Sequence, residues 1–194
     1  MASSNYVCWQ NVPAGNSCVL SGVENLGREY ELLKGIPRAG TFPDNVLFRM
    51  SDEYPKDVGL IDSLSNGDTL IIASRRLRDF LTQRQLPHME YHRVTILNHK
   101  GRVASEDYHV VHPIHPQDCL DISASGCTYS PIVPTEIDFV DKLTIDESRV
   151  QPGVRMFRIK NFGGPVLVHR GFAEELSAMD FKGITFIELE QYGW

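Results

Sequence analysis

Three histidines, one cysteine and two aspartates crowd into a single short stretch, YHVVHPIHPQDCLD at residues 108–121. These are the side chains that ligate zinc, and every histidine ligand of one ion must approach it to about 2.1 Å. On a strand, side chains alternate at about 3.3 Å per residue, so His109 and His115 share a face about 20 Å apart while His112 points away. A helix would stack the three at i, i+3 and i+6, but Pro113 and Pro116 forbid a helix through the middle of the stretch. Only a sharp turn at Pro113 would gather His109, His112 and His115 into a metal-dependent enzyme site. The spacing favours histidines at a strand end, satisfied by backbone or water.

The other chemical groupings read the same way. Cys119 could pair with His115, but nothing around it marks the lowered pKa that a nucleophilic thiol requires, and a buried thiol fits better. Asp118 and Asp121, three apart, suit turn formation better than acid/base work. Arg75, Arg76 and Arg78 make a small basic patch with Asp79 beside it, the pattern of a solvated helix face. The chain has no G-x-S-x-G elbow and no Gly-rich phosphate loop followed by Lys and Ser or Thr. Gly163 and Gly164 precede a short apolar run rather than opening a helix.

The whole chain sets bounds on function. Its 194 residues carry 19 basic and 25 acidic side chains, a formal charge of −6. That balance disfavours the phosphate backbone of nucleic acid and suits a basic protein partner. Cys8, Cys18, Cys119 and Cys127 form no C-x-x-C, so reduced thiols are expected rather than a zinc knuckle or a disulfide framework. No signal-like apolar run opens the chain and none approaches a membrane span of about 20 residues, so a cytoplasmic location and no membrane partner are expected.

The elements that must position these residues follow from periodicity. Residues 1–45 mix Gly, Pro, Asn and Ser with isolated apolar residues and read as a loosely structured extension, with at most a short strand or helix. A single α+β domain is expected over residues 46–194. Val46, Leu47, Phe48 and Met50 predict a strand, and the acidic loop at residues 51–67 is a candidate surface. Residues 69–73 read as a buried strand leading to Ser74, a good helix N-cap. Leu77, Phe80 and Leu81 then recur at i, i+3, i+4 over residues 75–85, one apolar helix face. Strands at 89–97 and 103–114 follow, joined by a turn at 98–101. After Val154 the pattern returns: MFRI at residues 156–159 echoes LFRM at 47–50, and a shift of 95 positions sets Ile72 on Leu167, Leu77 on Phe172 and Leu81 on Leu176. A two-copy strand, strand, helix, strand repeat is therefore expected, with two amphipathic helices packed on one mostly antiparallel or mixed sheet.

Taken in order, VLFRM at Val46, LIIASRRLRDFL at Leu70, the stretch ending Gln117-Asp118-Cys119-Leu120-Asp121, MFRI at Met156 and PVLVHRGFAEEL at Pro165 resemble a known bacterial family. It is the eleventh-numbered immunity-protein family of polymorphic toxin systems, formerly a domain-of-unknown-function family. The likeness covers residues 46–189. In the family the strand before the first helix typically ends in Val-Ser followed by Glu-Arg-Leu, matched here by Ala73, Ser74 and Arg75-Arg76-Leu77. The three histidines and the first 45 residues depart from the family pattern. The resemblance implies a cytoplasmic, non-catalytic protein, without cofactor or active site, that binds and neutralises a toxin encoded by a neighbouring gene. A regulatory or structural interaction module without a toxin partner is the alternative. Asp52, Glu53, Asp57 and Asp62 in the acidic loop are the expected partner-binding residues, with residues 123–135 as the next surface.

Overall fold

The fold is that of a computed structural model, which describes residues 4–192; the first three positions of the expected extension and the last two of the expected domain lie outside the described residues. In chain order the elements are β1 (Tyr6–Asn11), β2 (Val19–Glu24), α1 (Tyr30–Leu33), β3 (Leu47–Met50), β4 (Ser63–Asn66), β5 (Ile71–Ser74), α2 (Arg75–Gln83), β6 (Met89–Leu97) and β7 (Val103–Pro113). There follow α3 (Ile122–Ser125), β8 (Cys127–Tyr129), β9 (Ile137–Val140), β10 (Met156–Arg158), β11 (Val166–His169), α4 (Arg170–Ala178) and β12 (Ile184–Glu188).

The class is α+β, mostly sheet. Six strands close into a barrel in the order β2-β3-β6-β7-β5-β4, in which β2 runs parallel to β4 and β3 parallel to β6 while the other pairs are antiparallel. A separate antiparallel sheet has the order β10-β11-β1-β12, and β8 pairs with β9 in a small ribbon. Closure leaves the barrel no free strand edge. Its strands alternate as a pleat requires. Leu64, Ile72, Val94, Ile96 and Val110 point inward to one core, while Ile71, Ala73 and Val111 point outward to another.

That outer core is where the helices sit. Ser74 caps α2 by accepting from the Leu77 amide at 3.3 Å, and Leu77, Phe80 and Leu81 are buried as the periodicity requires. His169 caps α4 through Nδ1, which accepts from the Gly171 amide at 3.3 Å, and Phe172, Ala173 and Leu176 are buried. The Phe80 and Phe172 rings stack with centroids 6.4 Å apart. The expectation of two helices on one sheet is corrected here. Four α-helices occur among the described residues, and the two longer ones lie between two sheets, sharing a core with the barrel wall at Ile71 and the open sheet at Val166 and Val168.

The loose reading of the chain's beginning is also corrected. β1 sits inside the open sheet, pairing with β11 on one side and β12 on the other. Val7 and Trp9 enter the helix core, whereas Tyr6 and Cys8 enter a third core on the sheet's far face, beneath β8, β9 and residues 119–154. A strand covered on both faces is apolar at consecutive positions and so shows no alternation. β2 closes the barrel, and the following segment is clamped onto it: Glu90 accepts the Arg38 amide at 2.8 Å, and Phe42 stacks on His92 at 4.1 Å.

Candidate functional site

The histidines are dispersed by the very turn that might have gathered them. β7 runs to Pro113 and the chain then bends, with His115 at a positive φ of 56°. His109 lies on the strand, half-buried, and burial next to Arg78 pushes its pKa down to about 4. His112 is buried, its Nε2 2.8 Å from the Ile36 carbonyl, and burial lowers it to about 4 as well. The His115 ring meets His88 edge-on at 5.1 Å. Among the described residues no group of three or more His, Cys, Asp or Glu side chains is placed to hold a metal ion.

Cys119 is fully buried in the third core, and burial raises its thiol to about 12, so it is protonated at neutral pH. Asp118 pairs on the surface with Arg149 at 2.9 Å and Lys160 at 3.4 Å. Asp121 caps α3 by accepting from the Ala124 amide at 3.0 Å. The arginines of α2 are occupied too: Arg75 with Asp107, Arg76 with Asp62, Arg78 with Asp79. Arg76 also covers the Phe181 ring and Arg84 the Phe80 ring, which places their cations over the edge of the helix core rather than toward a polyanion.

The acidic loop divides into two parts. Asp62 is buried and works as a joint: its carboxylate accepts from the Ser74 hydroxyl at 3.0 Å, from Arg76 at 2.9 Å and from the Lys182 amide at 3.0 Å. It therefore fixes the start of α2 to the turn after α4. Residues 52–60, in contrast, face solvent. Asp52, Glu53, Tyr54, Lys56, Val58 and Leu60 are exposed and Asp57 is half-buried. Sequence charge pointed to the acids; the apolar members of the same surface, Tyr54, Val58 and Leu60, went unremarked, although their spacing among the charges could have shown them.

That loop is held in one shape. The Ser51 amide donates to Val19 at 2.8 Å, and Gly59 exchanges backbone bonds with Asn16 at 2.8 Å and Cys18 at 2.9 Å. Two tight turns, Tyr54 to Ser51 and Asp57 to Tyr54, fold the intervening residues. A Cβ at Gly59 would stand 3.0 Å from the Asn16 carbonyl, a tight approach that glycine leaves free.

A second exposed surface lies on the β8–β9 ribbon and its loop. Ile122, Tyr129, Ile132, Val133 and Phe139 are all exposed, Ile132 at 87%. Pro131 and Pro134 flank the tip, the Ser130 and Glu136 backbones bond at 2.8 Å, and Glu136 is tied to Lys34. Both surfaces offer apolar side chains on braced loops, the arrangement from which protein interfaces draw their anchors.

No helix among the described residues is long and apolar enough to cross a membrane. A comparison with curated proteins finds no match. A scan of protein-family models matches residues 15–191 to the Immunity protein family (Imm11), a span that takes in the barrel, both exposed loops and every strand of the open sheet except β1. The chain belongs to the Imm11 immunity protein family.

Proposed function

We propose that this chain is a non-catalytic immunity protein of a bacterial polymorphic toxin system, acting in the cytoplasm by binding a cognate toxin encoded nearby. The carrying observation is the braced surface at residues 52–60, where exposed Tyr54, Val58 and Leu60 stand among Asp52, Glu53 and Asp57. An aromatic and aliphatic centre with an acidic rim suits capture of a basic partner: apolar anchors supply affinity and rim charges raise the encounter rate. Pre-ordering of the loop lowers the entropy lost on binding. Membership of an immunity family supports the same reading. Asp62 serves this site indirectly, by anchoring the loop's end.

The two strand–helix–strand units, β5-α2-β6 and β11-α4-β12, belong to the proposal as copies of one segment. Their identical spacing along the chain supports that history, while their leading strands β3 and β10 pair differently. Co-expression with the product of the neighbouring toxin gene is the functional test. A stable complex and relief of toxicity are expected, and failure of the two proteins to associate overturns the proposal.

A further inference from the structure

Five of the twelve large apolar side chains left exposed among the described residues, Ile122, Tyr129, Ile132, Val133 and Phe139, stand within residues 121–141. Their concentration in so short a stretch marks an interaction surface, since surface apolar residues of no consequence are scattered singly. The stretch is anchored from beneath, where Ile137 and Val140 of β9 enter the third core while Asp138 and Phe139 between them face solvent. Its tip is pre-ordered. The Glu136 amide donates to the Val133 carbonyl at 2.8 Å, Ser130 Oγ accepts from the Ile132 amide at 3.4 Å, and Pro131 and Pro134 restrict the backbone on either side of Ile132 and Val133. Ile132 is thereby held outward on a fixed turn, which lowers the entropy lost when a partner covers it. β8 pairs with β9 alone among the described residues, so its outer edge is open to a further strand.

The charge of this surface has one sign. From Asp121 to Asp141 the chain has four carboxylates and no Lys, Arg or His, whereas residues 52–60 include Lys56. Asp138 and Asp141 are exposed and, among the described residues, in no salt bridge. The bordering cations Lys34, Lys142 and Arg149 are engaged by Glu136, Glu190 and Asp118.

We propose that the β8–β9 ribbon is a docking surface for a basic protein segment, which adds in extended form to the edge of β8, packs apolar side chains at the turn carrying Tyr129 and Ile132, and brings cations to the surrounding carboxylates. A second copy of this chain would set the same carboxylates against one another, and an anionic lipid surface would be repelled likewise. The contact is independent of toxin capture at residues 52–60.

Amide chemical-shift mapping on the full chain, with a short peptide alternating lysine and leucine and with its glutamate–leucine counterpart at matched ionic strength, tests this. Saturable shifts at Thr128, Tyr129 and Ile132 are expected with the lysine peptide alone. Ile132→Ser, at an exposed position where substitution leaves the fold intact, should weaken binding at least about tenfold, and Asp138→Lys should weaken it too. Equal saturation by both peptides, no saturable shift with the lysine peptide, shifts confined to residues outside 121–141, or undiminished binding in the variants overturns the inference. So does self-association in sedimentation that Ile132→Ser abolishes, which would make the occupant a second copy, and so does binding to phosphatidylglycerol vesicles that the same substitution abolishes, which would make it a membrane.

Discussion

The unit β5-α2-β6 and the unit β11-α4-β12 solve one problem in two ways. In each, a strand, a nine-residue helix and a second strand leave the two strands parallel, separated by an inserted antiparallel partner. In the first that partner is β7, which follows the unit directly through a turn at residues 98–101. In the second it is β1, drawn from the opposite end of the chain. The first unit is thus joined by the strand that follows it, whereas the open sheet exists only if the first dozen residues arrive. The contrast teaches that the beginning of this chain is structural core, not an appendage.

The largest effect should come from breaking that dependence. Removing β1 strips β11 and β12 of their shared partner and takes Tyr6, Val7, Cys8 and Trp9 out of two cores. At about 1.5–3 kcal/mol per buried large side chain, the loss rivals a typical total stability of about 5–15 kcal/mol. Circular dichroism and denaturant titration should find no cooperative unfolding transition in the truncated chain. A surviving cooperative barrel would show that the two halves fold independently.

Next in size is the joint between the units. Phe80→Ala and Phe172→Ala should each cost about 3–5 kcal/mol, and because the rings stack, the double variant should depart from additivity by about 0.5–3 kcal/mol. Additive losses in a denaturant cycle would mean that the helices do not share one core.

Acid should then separate the halves. His109 and His112 both lie on β7 of the barrel, and burial depresses each to about 4 in the folded chain, against an unfolded value of about 6.5. Between those values the unfolded chain binds protons that the folded chain does not, so stability falls as pH drops from about 6.5 toward 4. The slope is at most about 1.4 kcal/mol per pH unit for buried His112. Hydrogen exchange between pH 6.5 and 5 should rise first in β6 and β7, and His112→Gln should flatten the dependence. An unchanged slope in that variant would remove His112 from the account. The smallest difference concerns the helix caps. Ser74→Ala should cost about 1 kcal/mol, since it also deprives Asp62 of a partner, and His169→Ala should cost less in the same melting assay.

The strand and helix of the first unit were legible because local rules governed them. Ser74 announced a helix start, and Leu77, Phe80 and Leu81 marked its buried face. In the histidine stretch the strand was legible, since Pro113 and Pro116 excluded a helix and β7 runs to Pro113. β1 was not legible, because Tyr6-Val7-Cys8-Trp9 is buried on both faces and a run without alternation does not declare its period. Barrel closure was hidden for a different reason. It depends on the parallel pairings of β2 with β4 and β3 with β6, contacts between distant segments that leave no periodic mark. In the acidic loop, charge singled out Asp52, Glu53, Asp57 and Asp62 alike, but Asp62 is buried by three hydrogen bonds that only the fold supplies.

The most direct test of toxin capture through residues 52–60 is stopped-flow association with the cognate toxin at low and high salt, using Asp52→Lys, Glu53→Lys and Asp57→Lys combined. A melting curve close to that of the unsubstituted chain, within about 0.5 kcal/mol, must accompany the variant. The account predicts association slowed by an order of magnitude or more at low salt, a smaller difference at high salt and nearly unchanged dissociation. Association at the unsubstituted rate in both salts would contradict it and move the contact to the exposed ribbon around Ile132.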